Sequence, residues 1–77
     1  MKDPTINRSV QAAVDEYLRL MADETVTDLY ALVLAEVEAP LLRTVMKHTN
    51  YNQSRTAEIL GLNRGTLRRK LRRYRLI

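Results

Sequence analysis

The chain has no cysteine, tryptophan or phenylalanine, only two glycines and two prolines, and a single histidine among its 77 residues. Lack of cysteine excludes disulfides and thiolate metal sites together. His48 alone would leave any all-protein transition-metal site resting on carboxylates, so neither a metal nor a cofactor is expected. Few glycines and prolines, with 45% apolar residues, suit packed helices rather than a sheet or a disordered tail. No apolar run approaches the roughly 20 residues needed to span a bilayer. Met1-Lys2-Asp3-Pro4 has no apolar stretch behind its charge, so it does not read as a signal peptide, and a cytoplasmic location is expected. A chain this short buries a small core and needs outside support. With disulfides and metals gone, a second copy of the chain is the support that remains.

Acidic residues are missing from one half. Residues 1–46 carry four basic and eight acidic side chains, a net of −4; residues 47–77 carry nine basic side chains against Glu58 alone, a net of +8. Seven of those nine lie between Arg64 and Arg75. Such a division points to a polyanion as partner of the C-terminal half, the plainer alternative being a solvated basic face.

Periodicity predicts four helices. The first covers about residues 5–22, where Val10, Ala13, Val14, Tyr17, Leu18 and Met21 recur at three- and four-residue spacings behind an Asp3-Pro4-Thr5 start signal. The second runs from about Thr27 to about Thr49 and is apolar on more than one side, which calls for two burial partners, its own subunit and another. Leu29, Val33, Val37, Leu41 and Val45 are its candidate dimer core. Pro40 lies inside this pattern and predicts a kink, the alternative being a break through Glu38-Ala39. Two short helices follow, about 53–60 capped by Asn52 and about 64–74 capped by Asn63, with Gly61 suited to a left-handed turn between them. Ala57, Leu60, Leu67, Leu71 and Tyr74 are expected to face inward. Tyr17 and Tyr30 are also expected in the core, and Tyr51 in an exposed turn. The chain thus divides into a dimerisation core, 1–49, and a C-terminal unit, 50–77, within one folded domain. The expected fold class is all-α, a four-helix subunit paired with a second copy.

Helix, glycine turn and helix, with small and apolar residues at fixed offsets, is the pattern of a helix-turn-helix. Counted from Gln53, Ala57 is fifth, Gly61 ninth, Leu62 tenth and Leu67 fifteenth. Alanine permits close helix approach, glycine makes the turn, and the leucines fix the crossing. The second helix of such a unit can enter a major groove by its N-terminal turn. Arg64 and Arg68 share a face near Asn63 and Thr66; arginine can read guanine and asparagine can pair with adenine. Arg69, Lys70, Arg72 and Arg73 spread round the remaining circumference, within reach of phosphates. Asn52, Gln53 and Ser54 open the preceding helix, a place suited to anchoring a phosphate. A basic amphipathic helix lying on a membrane is the competing reading, weakened because the narrow Leu67-Leu71-Tyr74 stripe is needed for core packing.

Nothing suggests catalysis. Glu36 and Glu38 stand two apart on a helix and cannot converge on one atom, and no Gly-flanked nucleophile or phosphate loop occurs. His48, near the end of the long helix, reads as a solvated or helix-capping side chain.

The run from Leu29 through Glu36-Val37-Glu38-Ala39-Pro40 to Leu42, together with Asn52-Gln53-Ser54-Arg55 and Gly61-Leu62-Asn63-Arg64-Gly65-Thr66-Leu67-Arg68, resembles the Fis (factor for inversion stimulation) family over about Val10 to Leu76. The second block by itself would also fit the DNA-binding domain of enhancer-binding transcriptional activators; the first block favours Fis. The resemblance implies a nucleoid-associated, intertwined homodimer, its N-terminal and long kinked helices forming the core, that binds and bends double-stranded DNA and regulates transcription, with RNA polymerase as a further partner. It implies that the recognition helices of the dimer sit closer than one DNA turn, so that the duplex bends and groove compression supplies much of the preference. It assigns base reading to Asn63 and Arg64. Backbone contacts fall to Asn52, Gln53, Ser54, Thr66, Arg68, Arg69, Lys70, Arg72 and Arg73.

Two departures stand out. Asn50-Tyr51 replaces an arginine-glycine pair common in that family; tyrosine resists left-handed backbone, so strain should shift to Asn50 and one basic phosphate contact is lost. The chain also starts close to its first helix, and the expectation is DNA bending without the N-terminal arms that stimulate DNA invertases. A third class of reading is a helical module whose basic end docks on an acidic protein or a membrane. The salt dependence of duplex binding separates it from the first two.

Overall fold

The computed structural model describes residues 4–22 and 24–77. Among them are four α-helices and no strand: α1 (Pro4–Leu20), α2 (Leu29–His48), α3 (Gln53–Leu60) and α4 (Arg64–Arg73). They fall into two compact units, one reaching to Val33 and the other Leu34–Ile77.

In the first unit, Pro4 takes the opening position of α1, where its missing N–H costs no helical bond. The expected cap at Asp3 and the connecting Asp23 lie outside the described residues. Val10, Val14, Tyr17 and Met21 form a half-buried stripe, while Ala13 and Leu18 are exposed. On exposed positions, side-chain bonds join Gln11 to Asn7 and Arg19 to Glu16 one turn apart. Helix α2 begins at Leu29, two residues later than periodicity predicts. The cause is Asp28, whose backbone is left-handed (φ 55°) while its carbonyl already accepts the first helical bond from Leu32, at 3.1 Å. Aspartate tolerates that conformation better than most residues.

Helix α2 runs 20 residues through Pro40 without interruption, so the alternative of a break at Glu38-Ala39 is excluded. The neighbours of Pro40 keep enough of the ladder to carry the helix past one lost donor.

The core of the second unit is Leu42 and Met46 from α2, Ala57 from α3, and Leu67 and Leu71 from α4, with Leu60, Tyr74 and Leu76 packed against it. Leu67 and Leu71, four apart, lose all solvent contact. This is the inward face that periodicity assigns to the C-terminal helices, and it borrows two residues from the long helix. On α2 the positions Tyr30, Leu34, Val37 and Leu41, spaced by four, three and four, stay exposed. Tyr30 is 79% exposed in the single chain. Of the candidate dimer residues, Val37 and Leu41 are exposed in the single chain, and Leu29, Val33 and Val45 are half-buried.

Three helices of this unit end alike. After α2, Asn50 N–H donates to Lys47 O (3.1 Å) and Tyr51 N–H to Met46 O (2.7 Å). After α3, Gly61 N–H donates to Glu58 O (3.2 Å) and Leu62 N–H to Ala57 O (2.9 Å); after α4, Arg75 and Leu76 do the same to Arg72 and Leu71 (3.0 and 2.8 Å). Each is a Schellman termination, which needs a left-handed residue just past the helix. Only one of the three uses glycine: Gly61 has φ 72°, Asn50 56° and Arg75 55°. Tyr51 is left-handed too, at φ 66°. The expectation that tyrosine would push the strain onto Asn50 is therefore corrected, since both residues adopt it. At 65% exposure, Tyr51 meets the backbone cost without a clash against the core.

Candidate nucleic-acid interface

Each of the two short helices starts on an asparagine in extended backbone. Asn52 Oδ1 accepts from Arg55 N–H at 3.0 Å, and Asn63 Oδ1 accepts from Thr66 N–H at 2.7 Å. Both bonds satisfy donors that a helix start leaves without partners. Neither helix has an acidic residue in its first turn, so the positive ends of both dipoles stay uncompensated. In α4 the reverse end is well served: Lys70, Arg72 and Arg73 fill the last turn, where cations are favoured. Arg64 is the exception, a cation in the first turn of the helix it opens, against the dipole.

Arg64 reaches across to α3. Its Nη1 donates to Ser54 Oγ at 2.9 Å, and one turn on, Arg68 Nη1 donates to Gln53 Oε1 at 3.2 Å. Four of the residues singled out by sequence thus come together as two parallel cross-helix pairs. Arg64 and Arg68 are exposed and line the edge of α4 that turns toward α3, beside the fully buried Leu67 and Leu71 on the helix surface. Arg69, Arg72 and Arg73 are exposed around the same helix. Asn63 keeps its Nδ2 donors and a second Oδ1 lone pair beyond the capping bond, so a base edge remains within its chemistry.

Lys70 is placed elsewhere. Its ammonium sits 2.8 Å from Glu38 Oε2 on α2, with only 22% of its side chain and 28% of the glutamate's exposed. Tyr74 donates its hydroxyl to the other oxygen, Glu38 Oε1, at 2.5 Å. Lys70 therefore does not join the outward cations expected to meet phosphates; its charge is matched within the chain. The Lys70 and Tyr74 hydrogen bonds hold the Glu38 carboxyl below the usual carboxylate range. In turn the Glu38 bond, then partial burial, push the Tyr74 phenol above its ordinary value. Periodicity held the signal for half of this. Lys70 lies three residues after Leu67 and four before Tyr74, on the inner side of α4. Glu38 had no such signal.

Thr56 is a second feature that sequence reasoning missed. It is fully buried in α3, and its hydroxyl lies 2.7 Å from that of Thr49 at the end of α2. Thr49 Oγ1 also reaches Met46 O and Asn52 O, each at 3.2 Å. Carbonyl oxygens only accept, so the arrangement that gives each hydroxyl proton an acceptor has Thr49 donating to a carbonyl and Thr56 donating to Thr49. The knot ties the end of α2 to α3 and fixes where the short helices begin.

Comparison with known proteins agrees with this geometry. A family described as bacterial regulatory protein, Fis family, matches residues 33–74, which hold most of α2 and all of α3 and α4. The chain is 52% identical over 73 residues to a Fis-like DNA-binding protein of Pseudomonas aeruginosa, covering 95% of this chain and 70% of that one. It is 54% identical over 66 residues to the DNA-binding protein Fis of Vibrio cholerae, and equally so to that of Vibrio campbellii. Both alignments take in 86% of this chain and 67% of the relative.

Proposed function

The chain belongs to the Fis family of bacterial regulatory proteins, and from that membership we propose that it binds double-stranded DNA as a homodimer, bends the duplex and regulates transcription. The observation that carries the proposal is the outward face of α4. Arg64 and Arg68 are gathered with Ser54 and Gln53 at two acid-free helix starts, while Leu67 and Leu71, on the neighbouring face, anchor α4 in the core. A rod held in this way can enter a major groove by its N-terminal turn. Arg64 and Asn63 read base edges; Asn52, Thr66, Arg68, Arg69, Arg72 and Arg73 take phosphates. The role is binding rather than catalysis. RNA polymerase is the further partner of a regulator that acts beside promoters, and the nucleoid is where such a protein resides. No helix among the described residues is long and apolar enough to cross a membrane.

The second copy is supported by the exposed stripe Tyr30, Leu34, Val37 and Leu41, spaced as one face of a helix. Leu29, Val33 and Val45 complete the apolar surface that a symmetric partner would cover. In a two-fold dimer with closely set recognition helices, bending lets both enter one face of the duplex. The likeness to the Pseudomonas protein runs over 73 residues and so includes α1 and α2. That favours this reading over the isolated helix-turn-helix of an enhancer-binding activator.

The test is fluorescence anisotropy with labelled duplexes across salt, joined to a circular-permutation gel. Binding should weaken steeply with salt, with a log–log slope of several units if roughly 6–10 phosphates are neutralised. Arg64→Ala should cost about 1–3 kcal/mol at one position per half-site, whereas Arg73→Ala should lower affinity evenly across sequences. Leu41→Glu should abolish the dimer in sedimentation. A chain that ignores duplexes at physiological ionic strength, or stays monomeric while binding tightly, refutes the proposal.

A further inference from the structure

We propose that Ser54 is a positioning residue for base recognition, acting on DNA through Arg64 in place of the direct backbone contact that the family resemblance implied, with Gln53 doing the same for Arg68. The proposal rests on the DNA-binding reading above. Its ground is the pair of cross-helix bonds, Arg64 Nη1 to Ser54 Oγ at 2.9 Å and Arg68 Nη1 to Gln53 Oε1 at 3.2 Å.

Arginine is a long side chain with many rotamers, and a free guanidinium must be ordered when it meets a base. Arg64 has a further difficulty. It opens α4, so its charge is disfavoured by the dipole of its own helix and by that of α3, whose first turn it reaches. No carboxylate stands in either first turn to hold it. Left to electrostatics, the guanidinium would swing into solvent. A neutral acceptor solves this. The Ser54 hydroxyl fixes the direction of the side chain without neutralising the charge that an anionic duplex must attract. One donor of the guanidinium is used, and the remaining donors stay available for a guanine edge.

A carboxylate at position 54 or 53 would hold the arginine more firmly and also repel phosphate. Serine and glutamine avoid that conflict. The contrast with Lys70 is instructive: the cation facing α2 is held by a carboxylate, Glu38, while Arg64 and Arg68, which reach α3, are held by neutral oxygens. Asn52, not Ser54, makes the cap of α3, and Ser54 is exposed, so its hydroxyl has no part in the helix start or the core.

The experiment is a double-mutant cycle read by specificity. A preferred duplex is selected from a random pool with the full chain, and each half-site base is then varied singly. The position where Arg64→Ala loses discrimination is the one read by Arg64. Ser54→Ala should reduce discrimination at that position by about three- to tenfold, the equilibrium equivalent of ordering one rotamer-rich side chain on binding. The other positions and the salt slope should not change, and Ser54→Thr, which keeps the hydroxyl, should restore the wild-type ratio. In the Arg64→Ala background, Ser54→Ala should do nothing further. Gln53→Ala should instead weaken all sequences slightly, and only while Arg68 is present. Uniform loss on Ser54→Ala that persists without Arg64 would show a direct phosphate contact and overturn the proposal, as would no loss at all. If the wild-type chain binds no duplex, the DNA-binding reading itself fails, and that arm is read first.

Discussion

The hydroxyl pair Thr49–Thr56 supplies a prediction in which the less buried residue matters more. Thr56 is the buried member, at 0% exposure, and intuition makes it the sensitive one. Proton accounting says otherwise. Thr56 donates to Thr49, 2.7 Å away, and Thr49 donates to a carbonyl of Met46 or Asn52. Thr56→Val is nearly isosteric and removes one bond; Thr49, half-buried, keeps its own donation and can meet water with its free lone pair. The loss should be that of one ordinary hydrogen bond, about 0.5–1.5 kcal/mol. Thr49→Val strands the Thr56 proton in the core, which brings the desolvation penalty of a buried polar group, about 1–3 kcal/mol. The double valine variant strands nothing and should be no worse than Thr49→Val alone, against simple additivity. Urea melts followed by far-UV circular dichroism at fixed protein concentration read all three; near this chain length 1 kcal/mol moves the thermal midpoint by about 4–8 °C. If Thr56→Val proves costlier than Thr49→Val, or the two effects add, the assignment of donor and acceptor is wrong. The Thr56 hydroxyl would then be bonding back to the Asn52 carbonyl one turn before it.

Four further outcomes follow from particular residues. Tyr51→Gly removes an aromatic from left-handed backbone at φ 66° while giving up little burial; relief of roughly 1–2 kcal/mol against a glycine entropy cost of about 0.5–1 should leave a net gain in the urea midpoint. Gly65→Ala should also stabilise, by about 0.5–1 kcal/mol, because an added Cβ meets only Asn63 Oδ1 at an ordinary 3.5 Å. The same methyl would obstruct a duplex at the start of α4, so duplex affinity should fall as stability rises; a parallel rise in both would place α4 away from the DNA. The stability difference between wild type and Glu38→Gln should be largest near neutrality and shrink at both ends of the pH scale. Glu38, with its pKa lowered, stabilises fully above the ordinary carboxyl value of about 4.3 and loses this as pH falls through the lowered folded value. Tyr74, with its pKa raised, stabilises fully below about 10 and loses this as pH rises through the raised folded value; a difference that ignores pH would contradict the Glu38 contacts. Finally, Lys70→Met should leave the salt slope of duplex binding unchanged, since Glu38 already holds its charge, whereas Arg73→Met should reduce the slope by about 0.9. Equal reductions would mean that Lys70 leaves Glu38 for a phosphate.

Sequence by itself determined the features whose causes lie within a turn or two. Asn52 and Asn63 announce helix starts because a short side-chain oxygen caps the next turn, and Gly61 marks a left-handed stop. Leu67, Leu71 and Tyr74 share a face by helical spacing, and the cations gathered in residues 64–75 mark the basic surface. The candidate interface was therefore legible as a set of residues. What it lacked was the pairing among them. Only tertiary structure decided that Arg64 leans on Ser54 and Arg68 on Gln53, that Thr49 meets Thr56, and that Glu38 takes Lys70 and Tyr74, the latter 36 positions away. Tyr51 belongs with these. Its side chain argues against left-handed backbone, yet it follows the left-handed Asn50 with φ 66°. Capping and periodicity act through near neighbours along the chain, whereas each of these contacts depends on how α2, α3 and α4 pack, and that is set by burying Leu42, Met46, Ala57, Leu67 and Leu71 together.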